Sequence, residues 1–241
     1  MARQKGTIRL DGSLGALSFY HDKRYGDMVR GKGGPSKEQI QALPSCEVVR
    51  QNNSDFGTAS RAGKLLRESF YHLLHYVHDY RLNGRVQKRM MEVLKRDTKH
   101  TAGSRLLAQE NFATFGLLEL HRERKAGDTF PLPVQRSLEQ DCMKISTDVT
   151  INRSIIKGAT HFKVVSVAAL IHFSKVRHYH HTLHSAFLAL EERTPLHFTH
   201  ELKEGGVLFH GMCVVFYQQI NGEFYLLQDD GLSSGFIACV V

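Results

Sequence analysis

The residues best suited to chemistry in this chain of 241 residues are its 15 histidines. His178, His180 and His184 share one face if positions 178–184 run as a strand, and imidazoles two apart on a strand can hold a metal together. His72, His75 and His78 make a second series, but a spacing of three drifts around a helix and suits a single ion poorly. Neither series carries an HExxH-type carboxylate to serve as a base. The expectation is therefore hydrogen-bonded or solvated histidines, with no metal and no cofactor. Arg30-Gly31-Lys32-Gly33-Gly34 offers backbone N–H groups to an anion. A phosphate-binding P-loop, however, ends in Lys-Ser/Thr and opens a helix, whereas Pro35 follows here. The segment reads as a basic connector. Glu191-Glu192 and Asp229-Asp230 are adjacent carboxylates, which on a strand face opposite sides and share a proton poorly. No G-x-S-x-G elbow and no flanked cysteine appears. The sequence thus indicates no catalytic residue and no small-molecule substrate, and reads as a non-enzyme.

Charge is the second chemical signal. The net charge is +8, yet residues 1–125 carry 23 Lys/Arg against 13 Asp/Glu and residues 126–241 carry 9 against 11. Such asymmetry points to an acidic partner for the first half, either nucleic acid or the acidic part of another copy. Arg61, Lys64, Arg67, Lys88 and Arg89 are the candidate nucleic-acid contacts, although they also fit the solvated faces of amphipathic helices. The four cysteines lie far apart, which argues against a disulfide framework or a structural zinc site. The first residues hold no apolar signal-peptide core, and the longest apolar run, 164–171, is far too short to cross a bilayer. A cytoplasmic protein with no membrane contact is expected.

The elements that must position these groups fall into three zones. Residues 1–53 begin with strand-like alternation: Leu17 and Phe19 face one way, Ser18 and Tyr20 the other. Residues 22–26 supply a turn and 27–30 the returning strand, a β-hairpin arm. In residues 54–125, Phe56, Ala59, Gly63, Leu66, Phe70, Leu73, Val77 and Tyr80 recur at spacings of three and four, predicting one helix over 54–81. Ala59 and Gly63 leave room for a close neighbour. Asn83-Gly84 is expected to stop that helix, a second helix to run over 85–98 and a third over 104–123, weakened by Gly116. The predicted product is a small antiparallel helical bundle. Residues 126–241 open with the extended Phe130-Pro131-Leu132-Pro133 and then alternate as strands. Asn221-Gly222 marks a two-residue hairpin turn. This zone reads as an antiparallel β-sandwich or barrel, and the whole chain as α+β.

The run KGTIRLDGSLGALSFYHDKRYGDMVRGKGG, followed by Arg50-Gln51-Asn52, Asp55-Phe56-Gly57 and Gly63-Lys64-Leu65-Leu66-Arg67, resembles an uncharacterised family of Bacteroidetes proteins. More loosely, it looks like small phage-type structural proteins whose hairpin precedes helices and a β-domain. The resemblance covers about residues 4–70 and implies an assembly role, with no activity attached. The hairpin itself points the same way, because an isolated two-stranded ribbon is marginal in water and needs a surface. Phe19, Tyr20, Tyr25, Met28, Val29, Arg30 and Lys32 are the candidate contacts with another copy of the chain. The expectation is a self-assembling structural subunit, a ring or filament, with nucleic-acid binding through the basic half as the alternative.

Overall fold

A computed structural model describes residues 2–77, 79–128, 130, 134–139, 141–149, 151, 156, 158–190, 195–203, 205–227 and 233–240. His78, positions 131–133, Glu191-Glu192 and Asp229-Asp230 fall outside these residues. The chain has helices and several antiparallel sheets, an α+β protein, and divides into two compact units, Met1–Arg50 and Gln51–Val241.

The first unit holds β1 (Ala2–Arg3), β2 (Gly12–Leu14), β3 (Leu17–Asp22) and β4 (Gly26–Gly31), ordered β1-β4-β3-β2 in one antiparallel sheet. The predicted ribbon is therefore widened on both sides. Ala2 and Arg3 pair with Val29 and Met28, and Gly12, Ser13 and Leu14 pair with Phe19, Ser18 and Leu17. Asp22 builds the central turn by accepting from the N–H groups of Arg24 at 2.8 Å and Tyr25 at 3.0 Å. Helix α1 (Lys37–Ala42) begins with a capping box in which Ser36 Oγ accepts from Gln39 N and Gln39 Oε1 from Ser36 N. Arg50 Nη1 closes its other end by donating to the carbonyls of Ile40 at 2.7 Å and Leu43 at 3.0 Å, satisfying acceptors that a helix leaves bare.

Helix α2 (Glu47–Ser69) starts earlier than its apolar stripe, then breaks at Phe70. The break has a local cause. Ser69 Oγ bonds back to the Leu65 carbonyl at 2.8 Å, and Phe70 N is shared between the Leu66 and Arg67 carbonyls, a competition that bends helices. The short α3 (Tyr71–Leu74) continues the stripe, so Leu73 and Val77 stay buried while the end residues Phe56 and Tyr80 are exposed. Asn83-Gly84 is no stop: both lie in the first turn of α4 (Leu82–Leu94). The turn before α4 is made instead by Asp79, whose Oδ1 accepts from Arg81 N at 2.7 Å. A Cβ placed on Gly63 would lie 3.1 Å from Val86 Cγ1, so the close helix approach is real. The predicted third helix is replaced by a 3-10 turn at Gln109–Thr114 and by β5 (Leu117–Glu119). Gly116 at φ 63° switches the chain between them, a conformation only glycine adopts without strain.

The remaining strands are β6 (Gln135–Glu139), β7 (Cys142–Asp148), β8 (His161–His172), β9 (Arg177–His184), β10 (Leu188–Ala189), β11 (Pro195–Glu201), β12 (Val207–Ile220), β13 (Glu223–Leu226) and β14 (Ser234–Cys239). Long β8 and β12 pair side by side at the centre of a seven-stranded sheet, flanked by β9 and β10 on one edge and by β13, β14 and β5 on the other. The β12–β13 connection is the Asn221-Gly222 turn, both residues at positive φ. Strands β11, β7 and β6 form a separate three-stranded sheet.

The seven-stranded sheet is buried on both faces. One face carries Val165, Val167, Phe209 and Val215 into a core shared with Leu66, Phe70, Val86 and Met90 of the helices. The helices therefore cover a sheet instead of closing a bundle of their own. The other face packs Val164, Met212, Val214 and Phe236 against Met143, Ile145, Leu196 and Phe198 of the smaller sheet. Two glycines mark the tightest contacts. A Cβ at Gly211 would meet Leu73 Cδ1 at 2.7 Å, and one at Gly235 would meet the Met212 carbonyl oxygen at 2.5 Å. No described helix is long and apolar enough to cross a membrane.

Candidate functional site

Register divides the candidate arm contacts between two faces. Phe19 lies opposite Val29, and Leu17 opposite Leu14 and Gly31, which makes one face apolar. Tyr20 lies opposite Met28 and Ser18 opposite Arg30, making the other face mixed, with the Arg30 guanidinium 5.5 Å from the Tyr20 ring centroid. Tyr25 sits exposed in the turn, and Lys32 follows β4. Cys46 is the one buried residue among positions 2–50. Ile8, Leu14 and Leu17 are 79%, 69% and 44% exposed.

The five candidate nucleic-acid contacts are not gathered in one place. Arg61 donates to Thr58 Oγ1 at 3.2 Å and Lys64 pairs with Glu68 at 3.7 Å along α2. Lys88 and Arg89 line a small cleft of about 280 Å³ with Leu117, and Arg89 pairs with Glu92 at 3.4 Å. Only Arg67 reaches a larger cleft, of about 880 Å³, which it lines together with Tyr80, His121, Arg122 and Arg124.

That cleft is built around Asp79. Its carboxylate accepts from Arg85 Nη1 at 2.5 Å, Arg81 N at 2.7 Å and Arg122 N at 3.0 Å. Burial alone would push its pKa up, but these donors outweigh it and hold the carboxyl below its usual range. His121 Nδ1 then accepts from the N–H groups of Glu123 and Arg124, both at 3.1 Å. Nδ1 is thereby unprotonated, which leaves the neutral ring's proton on Nε2. The segment 121–124 is pinned at each of three consecutive amides. Sequence reading missed it because the predicted third helix ran through it. The signal was there as His-Arg-Glu-Arg beyond an apolar strand, three basic side chains in four positions.

The histidines gather on both faces of the large sheet. Toward the helices, the His178 and His180 rings stack at 5.7 Å and His72 approaches His180 at 5.3 Å. Desolvation, then His72 and His178, lowers the His180 pKa. His184 is lowered too, by desolvation and then Lys163. Among the described residues no three His, Cys, Asp or Glu side chains converge to hold a metal ion.

Between the two sheets lies a buried polar chain that the sequence did not reveal. Arg136 Nε donates to His210 Nδ1 at 3.0 Å, and Ser166 Oγ lies 3.1 Å from His210 Nε2 and 2.8 Å from His200 Nε2. Arginine can only donate, so every proton in the chain follows. His210 accepts at Nδ1 and donates from Nε2 to Ser166, Ser166 donates to His200 Nε2, and His200 carries its proton on Nδ1. That last N–H is buried without a hydrogen bond, although the nearby His181 backbone favours the protonated ring. Desolvation drives both rings toward neutrality: His200 falls to about 4 and His210 well below its usual value, with Arg136 adding to the second. The chain ties β6, β8, β11 and β12 together across the sheet interface. Ser166, His200 and His210 are fully buried, so a serine–imidazole pair of nucleophilic type here gives a substrate no approach. One signal could have exposed it. Leu196, Phe198 and His200 alternate on β11, and His210, Met212 and Val214 alternate on β12, which places both histidines on apolar faces.

Compared with known protein families, with curated proteins and with solved structures, the chain matches none.

Proposed function

We propose that the chain is a structural subunit, not an enzyme, that joins copies of itself through its N-terminal sheet. The observation that carries this reading is the sheet's lack of a core. Strands β2, β3 and β4 present Leu14, Leu17, Phe19 and Val29 on one face, and not one residue from Ala2 to Gly34 is buried. A stable sheet buries an apolar face against another layer, and a contiguous exposed apolar patch marks an interaction surface. The short outer strands β1 and β2 pair along parts of the β4 and β3 edges, which favours face-to-face docking over strand addition. A second copy suits the charge pattern: residues 1–50 carry 9 Lys/Arg against 5 Asp/Glu, while residues 126–241 carry 9 against 11. A head-to-tail contact of that kind closes into a ring or extends as a filament.

Replacing Leu17 and Phe19 together by glutamate places two charges on the docking face. The double variant is expected to sediment at the single-chain mass with unchanged circular dichroism. Sedimentation identical to that of the unaltered chain would end this reading.

A further inference from the structure

We infer that the cleft lined by Arg67, Arg122 and Arg124 binds a small ligand carrying two or more phosphate groups. The three guanidiniums make no hydrogen bond or ion pair among the described residues, whereas Arg85 and Arg105 are matched to carboxylates and Arg136 to His210. Arg67 and Arg124 are half-buried and Arg122 is exposed, so the cleft wall presents cationic groups without an acidic partner, which suits an anion. Two carboxylates border the cleft, and Asp79 is already committed to Arg85, Arg81 and Arg122, which leaves Glu123 against three arginines. The protein has thus spent its acid on fixing the loop and kept the cationic groups for something else.

Geometry sets the ligand class. Planar guanidiniums bind phosphate oxygens through paired N–H bonds, and the Nε2–H of His121 adds a neutral donor. Three arginines against one carboxylate suit a ligand with at least two negative charges. The volume of about 880 Å³ is that of a small-molecule site and far exceeds a single phosphate. Leu74, Val77 and Leu82 supply an apolar wall, and Tyr80 is 84% exposed beside it, so a ring attached to the phosphates has a surface to rest on. This site lies within the second unit and is independent of the assembly role.

Calorimetric titration of the full chain at low salt with ATP, and separately with inorganic tripolyphosphate, tests the site. One-to-one saturable binding is expected, weakened about tenfold or more for each arginine removed in Arg67→Gln and in the double variant Arg122→Gln, Arg124→Gln. The variant Lys88→Gln, Arg89→Gln, outside the cleft, is expected to bind within about twofold of the unaltered chain, because its charges sit beyond direct contact. ATP binding more tightly than tripolyphosphate assigns a nucleotide to the apolar wall. Equal affinities assign a polyphosphate, and both outcomes support the site. The inference is overturned if neither compound saturates, if the cleft variants bind like the unaltered chain, or if an oligonucleotide alone binds.

Discussion

Asp55→Ala is expected to lower stability by about 3–5 kcal/mol and the melting midpoint by roughly 10 °C. Asp55 is buried on α2, where its carboxylate accepts from Arg105 Nη1 at 2.7 Å and from Gly103 N at 3.0 Å. Ser54 Oγ reaches the Gly103 carbonyl at 2.7 Å, so the loop after α4 is held to α2 by three bonds from two adjacent residues. Arg105 Nε is already buried without a partner. Removing the carboxylate strands a guanidinium whose side chain is only 25% exposed, and a largely buried charge left alone is costlier than a pair replaced by apolar groups. The double variant Asp55→Ala, Arg105→Met is therefore expected to recover part of the loss. Urea unfolding of the three proteins measures this. A loss under about 1 kcal/mol, the scale of an exposed pair, would show that the pair does not pin the loop.

Acid weakens the fold in two stages. The rings of His200 and His210 stay neutral when folded, whereas unfolded histidines protonate near pH 6.5. Between those values the unfolded chain binds more protons, so stability is fully present above pH 6.5 and is lost as pH falls. Each ring contributes a slope of up to about 1.4 kcal/mol per pH unit. The His200 contribution is spent at about pH 4, while that of His210 continues lower. His180 and His184 act in the same direction. The groups facing the two buried rings explain the sign. His200 sees Ser166, His181 and His210, and His210 sees Arg136 and Phe236, with no carboxylate among the described residues beside either ring to stabilise an imidazolium. Below about pH 4 the second stage begins. Asp97, held at about 2 chiefly by Leu106 N–H and then by His100 and Lys99 N–H, contributes stability that is present above 3.8 and lost as pH falls further. Urea midpoints measured from pH 7.5 to 3 check both stages, and a flat profile between 7 and 4.5 would contradict the neutral buried chain.

The legible parts of this fold were those written in local periods. Ala59, Gly63, Leu66, Phe70, Leu73 and Val77 are all buried, as their spacing requires, and Asn221-Gly222 turns the hairpin it predicts. What defeated the reading was side-chain chemistry acting on the backbone. Ser69 bends α2, Asp79 takes over the turn assigned to Asn83-Gly84, and Gly116 converts a helical pattern into a turn and a strand. The separation of helices from strands failed for a different reason. An apolar helical stripe does not say whether it meets another helix or a sheet, and here it meets β8 and β12. The polar chain was hidden by distance. Arg136, Ser166, His200 and His210 come together only through the pairing of β8 with β12 and the packing of the small sheet upon them. The pairing of β3 with β4 was legible as a hairpin, whereas the two added strands, of two and three residues, are too short to show any period.

Light scattering of the full chain over rising concentration, beside a chain lacking residues 1–34, measures the assembly role directly. The expected result is a mass several times the 27.3 kDa of one chain for the first and a single-chain mass for the second. A full chain that stays at 27.3 kDa throughout, or a shortened chain that assembles as well as the full one, would contradict it.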